Sequence, residues 1–182
     1  MNWRVAHRMT IYRETGMYAL SPTLTRTPSG DLLVFFQRSP HLGHPHHGHP
    51  LSNVQACRSQ DEGQTWSEAT LVTSDPLGGI IDRGVHTLSD GSIFVHCSTT
   101  ELVPADGSQM HGAEWVSRPG IPFWVRSRDD GHTWTAPARF PPIPDAAWGH
   151  LAEHAGVCRS GLIELPDGRL LMPSKATARP EG

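Results

Sequence analysis

Short apolar runs recur along the chain, and a Gly-centred turn precedes each. Leu32-Leu33-Val34-Phe35-Phe36 follows Ser29-Gly30-Asp31, Ile93-Phe94-Val95 follows Asp90-Gly91-Ser92, and Leu170-Leu171-Met172 follows Asp167-Gly168-Arg169. Asp-Gly between apolar runs is a strong cue for a tight hairpin whose two central residues take φ > 0. The pattern predicts strands at 21–27 and 31–38, then 53–59 and 66–73, forming a four-stranded meander. It predicts a second meander at 83–89, 92–99, 122–128 and 134–140, and a third begun at 157–165 and 169–175. Residues 4–13 read as one more strand.

A second unit alternates with these hairpins. Ser59-Gln60-Asp61-Glu62-Gly63-Gln64-Thr65-Trp66 and Ser127-Arg128-Asp129-Asp130-Gly131-His132-Thr133-Trp134 share the pattern S-x-D-x-G-x-T-W. Gly63 and Gly131 suit a left-handed backbone, and the Ser and Asp side chains suit bonds to nearby N–H groups. Each Trp begins the following strand. These features are structural and carry no chemistry by themselves. Repeated four-stranded antiparallel meanders read as blades of a β-propeller.

Composition narrows the function. The chain has 182 residues, 37% of them hydrophobic, with 18 Gly and 16 Pro, which favours turns over long helices. No apolar run approaches the ~18 residues of a membrane span, and Met1–Arg8 has no secretory apolar core, so the cytoplasm is the default compartment and no membrane partner is expected. The formal net charge is −3 without a basic stripe, so nucleic acid is not expected as a partner either. Of the 15 basic residues only Lys175 is a lysine, a bias that suits an acidic ligand but also arises from a GC-rich genome. Cys57, Cys97 and Cys158 match no zinc or disulfide pattern and read as buried thiols. No metal and no cofactor are expected.

The octapeptides are Asp-boxes, and the chain resembles the sialidase (neuraminidase) superfamily of BNR/Asp-box β-propellers over about residues 18–177. Pro22-Thr23-Leu24, the Gly30 hairpin, both octapeptides and the stretch from Ser160 to Pro173 carry the resemblance. It implies an all-β fold of six blades, of which residues 1–182 supply about two and a half, in the N-terminal half of a protein about twice as long. Open sheet edges make self-association an alternative, two copies closing one ring. The implied activity is a glycoside hydrolase of the exo-sialidase kind, acting on terminal acidic sugars of glycans. Its expected parts are three arginines on the substrate carboxylate, an Asp acid/base, and a Tyr nucleophile paired with a Glu. The first of those arginines would stand at Leu20, two residues before Pro22, and Tyr12 and Tyr18 do not match the nucleophile.

The candidate site residues follow from position at strand starts facing the central channel. Asp82-Arg83 offers a carboxylate for proton transfer and a guanidinium for an anionic sugar, against a reading as a surface ion pair. Glu153 beside His154 offers acid/base chemistry, against a solvated loop. Asp82, Arg83 and Glu153 are the catalytic candidates; Arg38, His44, His46, His47, His86 and His154 are the substrate-binding candidates. His44, His46 and His47 belong to a His-rich segment whose Pro45 and Pro50 prevent helical metal-ligand spacing. The insertion from Glu101 to Gly120 reads as a long loop flanked by Trp115 and Trp124, each suited to sugar stacking or to core packing. Two other readings stand beside the hydrolase: a non-catalytic carbohydrate-binding propeller, which Leu20 favours, and a propeller lyase or rhamnosidase using a histidine.

Overall fold

Strand β2 (Leu32–Pro40) is apolar on both faces, and its neighbours follow from that. Leu33 and Phe35 point one way, Val34 and Phe36 the other, and all four are buried. Such a strand needs a covering layer on each side. In the computed structural model, which describes residues 7–41, 49, 51–75, 79–104, 115–141, 146–147, 161–173 and 177–178, β2 lies inside an antiparallel sheet. The order is β1 (Met17–Arg26), β2, β3 (Asn53–Ser59), β4 (Thr70–Ser74). A second antiparallel sheet repeats the order with β5 (Gly79–Thr87), β6 (Ile93–Pro104), β7 (Trp115–Ser127) and β8 (Ala138–Arg139). Short pairs follow: β9 (Ala146–Ala147) with β12 (Thr177–Ala178), and β10 (Ile163–Glu164) with β11 (Leu170–Leu171). The described residues contain no helix, so the fold is all-β.

Leu33, Phe35, Val54, Ala56 and Val72 of the first sheet pack against Ile80, Val85, Ile93, Val95, Cys97, Phe123 and Val125 of the second. Each large side chain buried there contributes roughly 1.5–3 kcal/mol. Trp134 of the second octapeptide closes this layer edge-on to Phe35, with ring centroids 5.7 Å apart. The opposite face of the second sheet, through Leu88 and Phe94, packs against Leu162 and Met172 flanking β10 and β11. Cys57 and Cys97 are buried thiols outside any disulfide, as expected, while Cys158 lies outside the described residues.

Both octapeptides fold alike. Asp61 Oδ1 accepts from the Thr65 N–H at 2.8 Å and from Ser59 Oγ at 2.8 Å, and Asp61 Oδ2 accepts from Thr65 Oγ1 at 2.6 Å. Asp129 makes the same three bonds with Thr133 and Ser127. Positive φ extends beyond the expected glycine in each, to Glu62 at 57° and Asp130 at 58°. The repeat is also longer than the octapeptide. Arg58, one residue before Ser59, pairs with Asp31 at 2.7 Å, and Arg126, one residue before Ser127, pairs with Asp90. Each arginine thus ties its turn to the Gly-centred hairpin at the same end of its sheet.

Several expectations are corrected. The Gly-centred hairpins are three-residue loops, with only the glycine at positive φ: Gly30 at 102°, Gly91 at 80° and Gly168 at 81°. A type I turn closed by a left-handed glycine has this form. Strand β4 begins at Thr70, because Trp66–Ala69 stay outside the ladder. Residues 7–13 form no strand. The insertion is not a plain loop, since β6 and β7 extend into it and pair Pro104 with Trp115. Residues 105–114 between them lie outside the described residues.

Candidate functional site

The octapeptides and Gly-centred hairpins occupy one end of each sheet. The start of β1, the end of β2 and the start of β3 meet at the other. There the two first strands share a feature. In β1 the register shifts between Leu20 and Thr23, so Ser21 and Pro22 stand opposite one residue, and Ser21 takes φ 52°. In β5 it shifts between Asp82 and Gly84, which leaves Arg83 as the extra residue while Asp82 pairs with Cys97. Counted back from the hairpins, Asp82-Arg83 occupies the place of Ser21-Pro22. The expectation that Asp82 and Arg83 begin a strand is therefore corrected: β5 begins at Gly79, and the two residues form a bulge within it. Bulges re-aim side chains and are frequent beside active sites.

Arg38 lies near the end of β2, opposite Asn53 of β3. Its Nε donates to Glu14 Oε2 at 2.7 Å and to the Tyr12 hydroxyl at 3.2 Å, and its Nη2 donates to Glu14 Oε1. The Tyr12 hydroxyl donates to Glu14 Oε2. Tyr12 is held there by its ring, packed on Phe36 with centroids 4.5 Å apart. The bonds from Arg38 and then Tyr12 hold the Glu14 carboxyl down to about 2. Burial, reinforced by Glu14, pushes the Tyr12 phenol above its usual range. At neutral pH the cluster is therefore a guanidinium neutralised by a carboxylate, with a protonated phenol bridging them. Asn53 Oδ1 nearby is buried with no hydrogen-bond partner among the described residues. Beside it, the Ser39 and Ser52 hydroxyls bond each other.

His86 sits elsewhere. It lies one residue before the end of β5, at the hairpin end, whereas Arg38 lies at the opposite end of the first sheet. The structure does not bring these two candidates together. The His86 ring stacks on His96 at 5.7 Å and 8°, and burial lowers its pKa. Its Nε2 is buried without a hydrogen-bond partner among the described residues. Trp124 stacks on Phe94 at 5.4 Å, which places it in the core. It borders a mainly apolar cleft of about 370 Å³ lined by Leu88, Leu162 and Met172. His44, His46, His47, Glu153 and His154 lie outside the described residues. Among the described residues no group of three or more His, Cys, Asp or Glu is placed to hold a metal ion.

Glu14 escaped the sequence reading, and Tyr12 was set aside in it. Both lie in residues 7–16, which lack strand alternation, and their contact with Arg38 depends on Tyr12 settling on Phe36 across a long separation in sequence.

No protein-family model matches the chain. The chain is 30% identical over 136 residues to a sialidase of Bacteroides fragilis (strain YCH46), covering 68% of this chain and 24% of that protein. A solved structure of a protein of unknown function from Dyadobacter fermentans DSM 18053 matches 88% of this chain at 25% identity with a TM-score of 0.72. The chain spans about a quarter of the length of the sialidase and about half of the Dyadobacter chain, 24% and 47%. The similarity to the Bacteroides sialidase suggests a sialidase-like relation.

Proposed function

We propose that the two sheets and the β10–β11 hairpin are successive blades of an Asp-box β-propeller, and that the protein is a sialidase-like exo-glycosidase acting on terminal acidic sugars. The similarity to a sialidase over 136 residues carries this reading. The identical bonding of the two octapeptides supports the repeat. The site is assigned to the sheet ends remote from the octapeptides, where the bulges of β1 and β5 lie. Asp82 donates a proton to the leaving oxygen, Arg83 stabilises the anionic sugar, and Glu153 is the second carboxylate. His44, His46, His47 and His154 belong to the substrate-binding set in this reading, and His86, at the hairpin end of β5, stays outside it. Arg38 joins only where Glu14 releases it.

A second reading is a carbohydrate-binding propeller without catalysis. Two observations favour it: Leu20 stands where the resemblance implies an arginine, and Glu14 already neutralises Arg38. Hydrolysis of a fluorogenic sialoside between pH 4 and 8 separates the two. Turnover supports the hydrolase. Retention on a glycan array with no product released supports the binding module, and a protein that neither cleaves nor retains sialosides overturns the sialic-acid assignment.

A further inference from the structure

Residues 7–14 cover part of the first sheet without joining it. They belong to no strand, and the ladder of β1 begins only at Met17. Side chains therefore fasten them. Ile11 and Tyr12 pack on the cluster of Val34, Phe36 and Cys57, with the Tyr12 ring against Phe36. Glu14 makes the polar half of the contact. Arg38 donates Nε and Nη2 to the two oxygens of its carboxylate, one to each, and the Tyr12 hydroxyl donates to Oε2 as well.

That fork is how a guanidinium takes a carboxylate of any origin. It is also within reach of solvent, with the Arg38 side chain 22% exposed and that of Glu14 40%. An ion pair so placed is weakly held.

Two features set this pair apart from an ordinary surface bridge. Arg38 stands at the sheet end assigned to the substrate, and its partner in β1 is Ala19, next to the register shift that starts at Leu20. Its partner in β3 is Asn53, on the same face, whose Oδ1 is buried with no hydrogen-bond partner among the described residues. An unpaired buried acceptor is costly, and a hydroxyl relieves it. A sugar acid brings hydroxyl donors for Asn53 together with carboxylate oxygens for Arg38. Glu14 brings only the oxygens.

We propose that Glu14 stands in for the carboxylate of the substrate: it occupies Arg38 while the site is empty, and an acidic sugar displaces it and frees residues 7–14 from the sheet. The proposal rests on the reading of this sheet end as the site for an acidic sugar. The exchange is carboxylate for carboxylate, since Glu14 is ionised at neutral pH. The chain tethers Glu14 beside Arg38 and so gives it a high effective concentration there. A bare carboxylate such as acetate therefore does not compete, whereas a sugar acid adds its hydroxyl contacts. By linkage, the closed segment weakens the ligand by the same factor as the ligand weakens the closed segment.

Calorimetry with free sialic acid and a fluorine resonance at Tyr12 test this. The chain has two tyrosines, so fluorotyrosine in Tyr18→Phe labels Tyr12 alone. Sialic acid should move that resonance toward its position in the unfolded protein, and the methyl ester of the acid, which lacks the charge, should not. Glu14→Gln should bind the acid at least about fivefold more tightly, the lower end of an ordinary coupling between two events. Ile11→Ala loosens the apolar half of the contact, keeps Glu14 and Arg38, and should tighten binding in the same direction; it carries the test should Glu14→Gln fail to fold. Acid binding that leaves the Tyr12 resonance in place, or an affinity that these variants leave unchanged, overturns the proposal while the sialic-acid reading stands. If neither the parent nor Glu14→Gln binds the acid, the proposal falls, and turnover of a fluorogenic sialoside then decides the functional reading by itself.

Discussion

The imidazole of His96 lies directly over Gly84: a Cβ at Gly84 would stand 2.6 Å from His96 Cε1. His96 is 1% exposed and stacked on His86, so its ring has little room to yield. Gly84→Ala therefore forces repacking of a filled layer, at a cost of about 1–3 kcal/mol. Urea unfolding should show a lower midpoint with an unchanged slope. Gly84→Ala combined with His96→Ala should recover part of what Gly84→Ala loses beyond His96→Ala alone. A Gly84→Ala protein as stable as the parent would contradict this packing.

His86 makes stability depend on pH. Burial lowers its folded pKa below the unfolded value of about 6.5, so the unfolded chain binds more protons between the two. The stabilisation is fully present above about pH 6.5 and declines as pH falls through that value toward the folded pKa. Replacing His86 with Leu should flatten the melting temperature between pH 7 and 5 relative to the parent. An equal slope in both proteins would remove His86 as the source.

The octapeptide carboxylates act at lower pH. The bonds from Thr65 and then Ser59 hold Asp61 at about 2, and equivalent bonds lower Asp129 further. Their contribution is present above the unfolded pKa of about 3.9 and is lost as pH falls below it toward 2. Asp61→Ala and Asp129→Ala should both lower the melting temperature at pH 7, Asp129→Ala by at least as much, and both differences should shrink as the pH falls below about 3.9. A variant that melts with the parent at pH 7 would deny its turn this role.

Tyr12 gives a spectroscopic readout of its cluster. The chain has two tyrosines, so in Tyr18→Phe the phenolate absorbance reports on Tyr12 alone. The absorbance should rise at a pH above the usual value of about 10. Adding Glu14→Gln should bring the rise down part of the way, because burial is the larger cause and remains. A midpoint that Glu14→Gln leaves unchanged would deny the Tyr12–Glu14 bond.

Much of the fold was legible because the octapeptide fixes five residue types at set spacing, and an apolar run beside each glycine leaves little choice but a hairpin. The bulge at Asp82-Arg83 was not legible. The backbone of β5 starts at Gly79, and nothing in the side-chain order tells which residue of a strand will go unpaired. The arm formed by β6 and β7 was missed because Glu101–Gly120 mixes Pro, Gly and charged residues, whereas cross-strand pairing carries the ladder through to Pro104 and Trp115. The reading of Arg38 as a substrate-binding candidate missed Glu14, whose approach depends on the path of a segment without regular structure.

Asp82 bears the proposed chemistry, and kinetics on Asp82→Asn test it most directly. With a fluorogenic sialoside at the optimum pH of the parent protein, kcat/KM should fall about 10²–10⁴-fold, as expected when a general acid is removed, while circular dichroism stays unchanged. Parent turnover that survives intact in Asp82→Asn would contradict the assignment of that residue, and a parent protein that neither cleaves nor retains sialosides would contradict the sialidase-like reading itself.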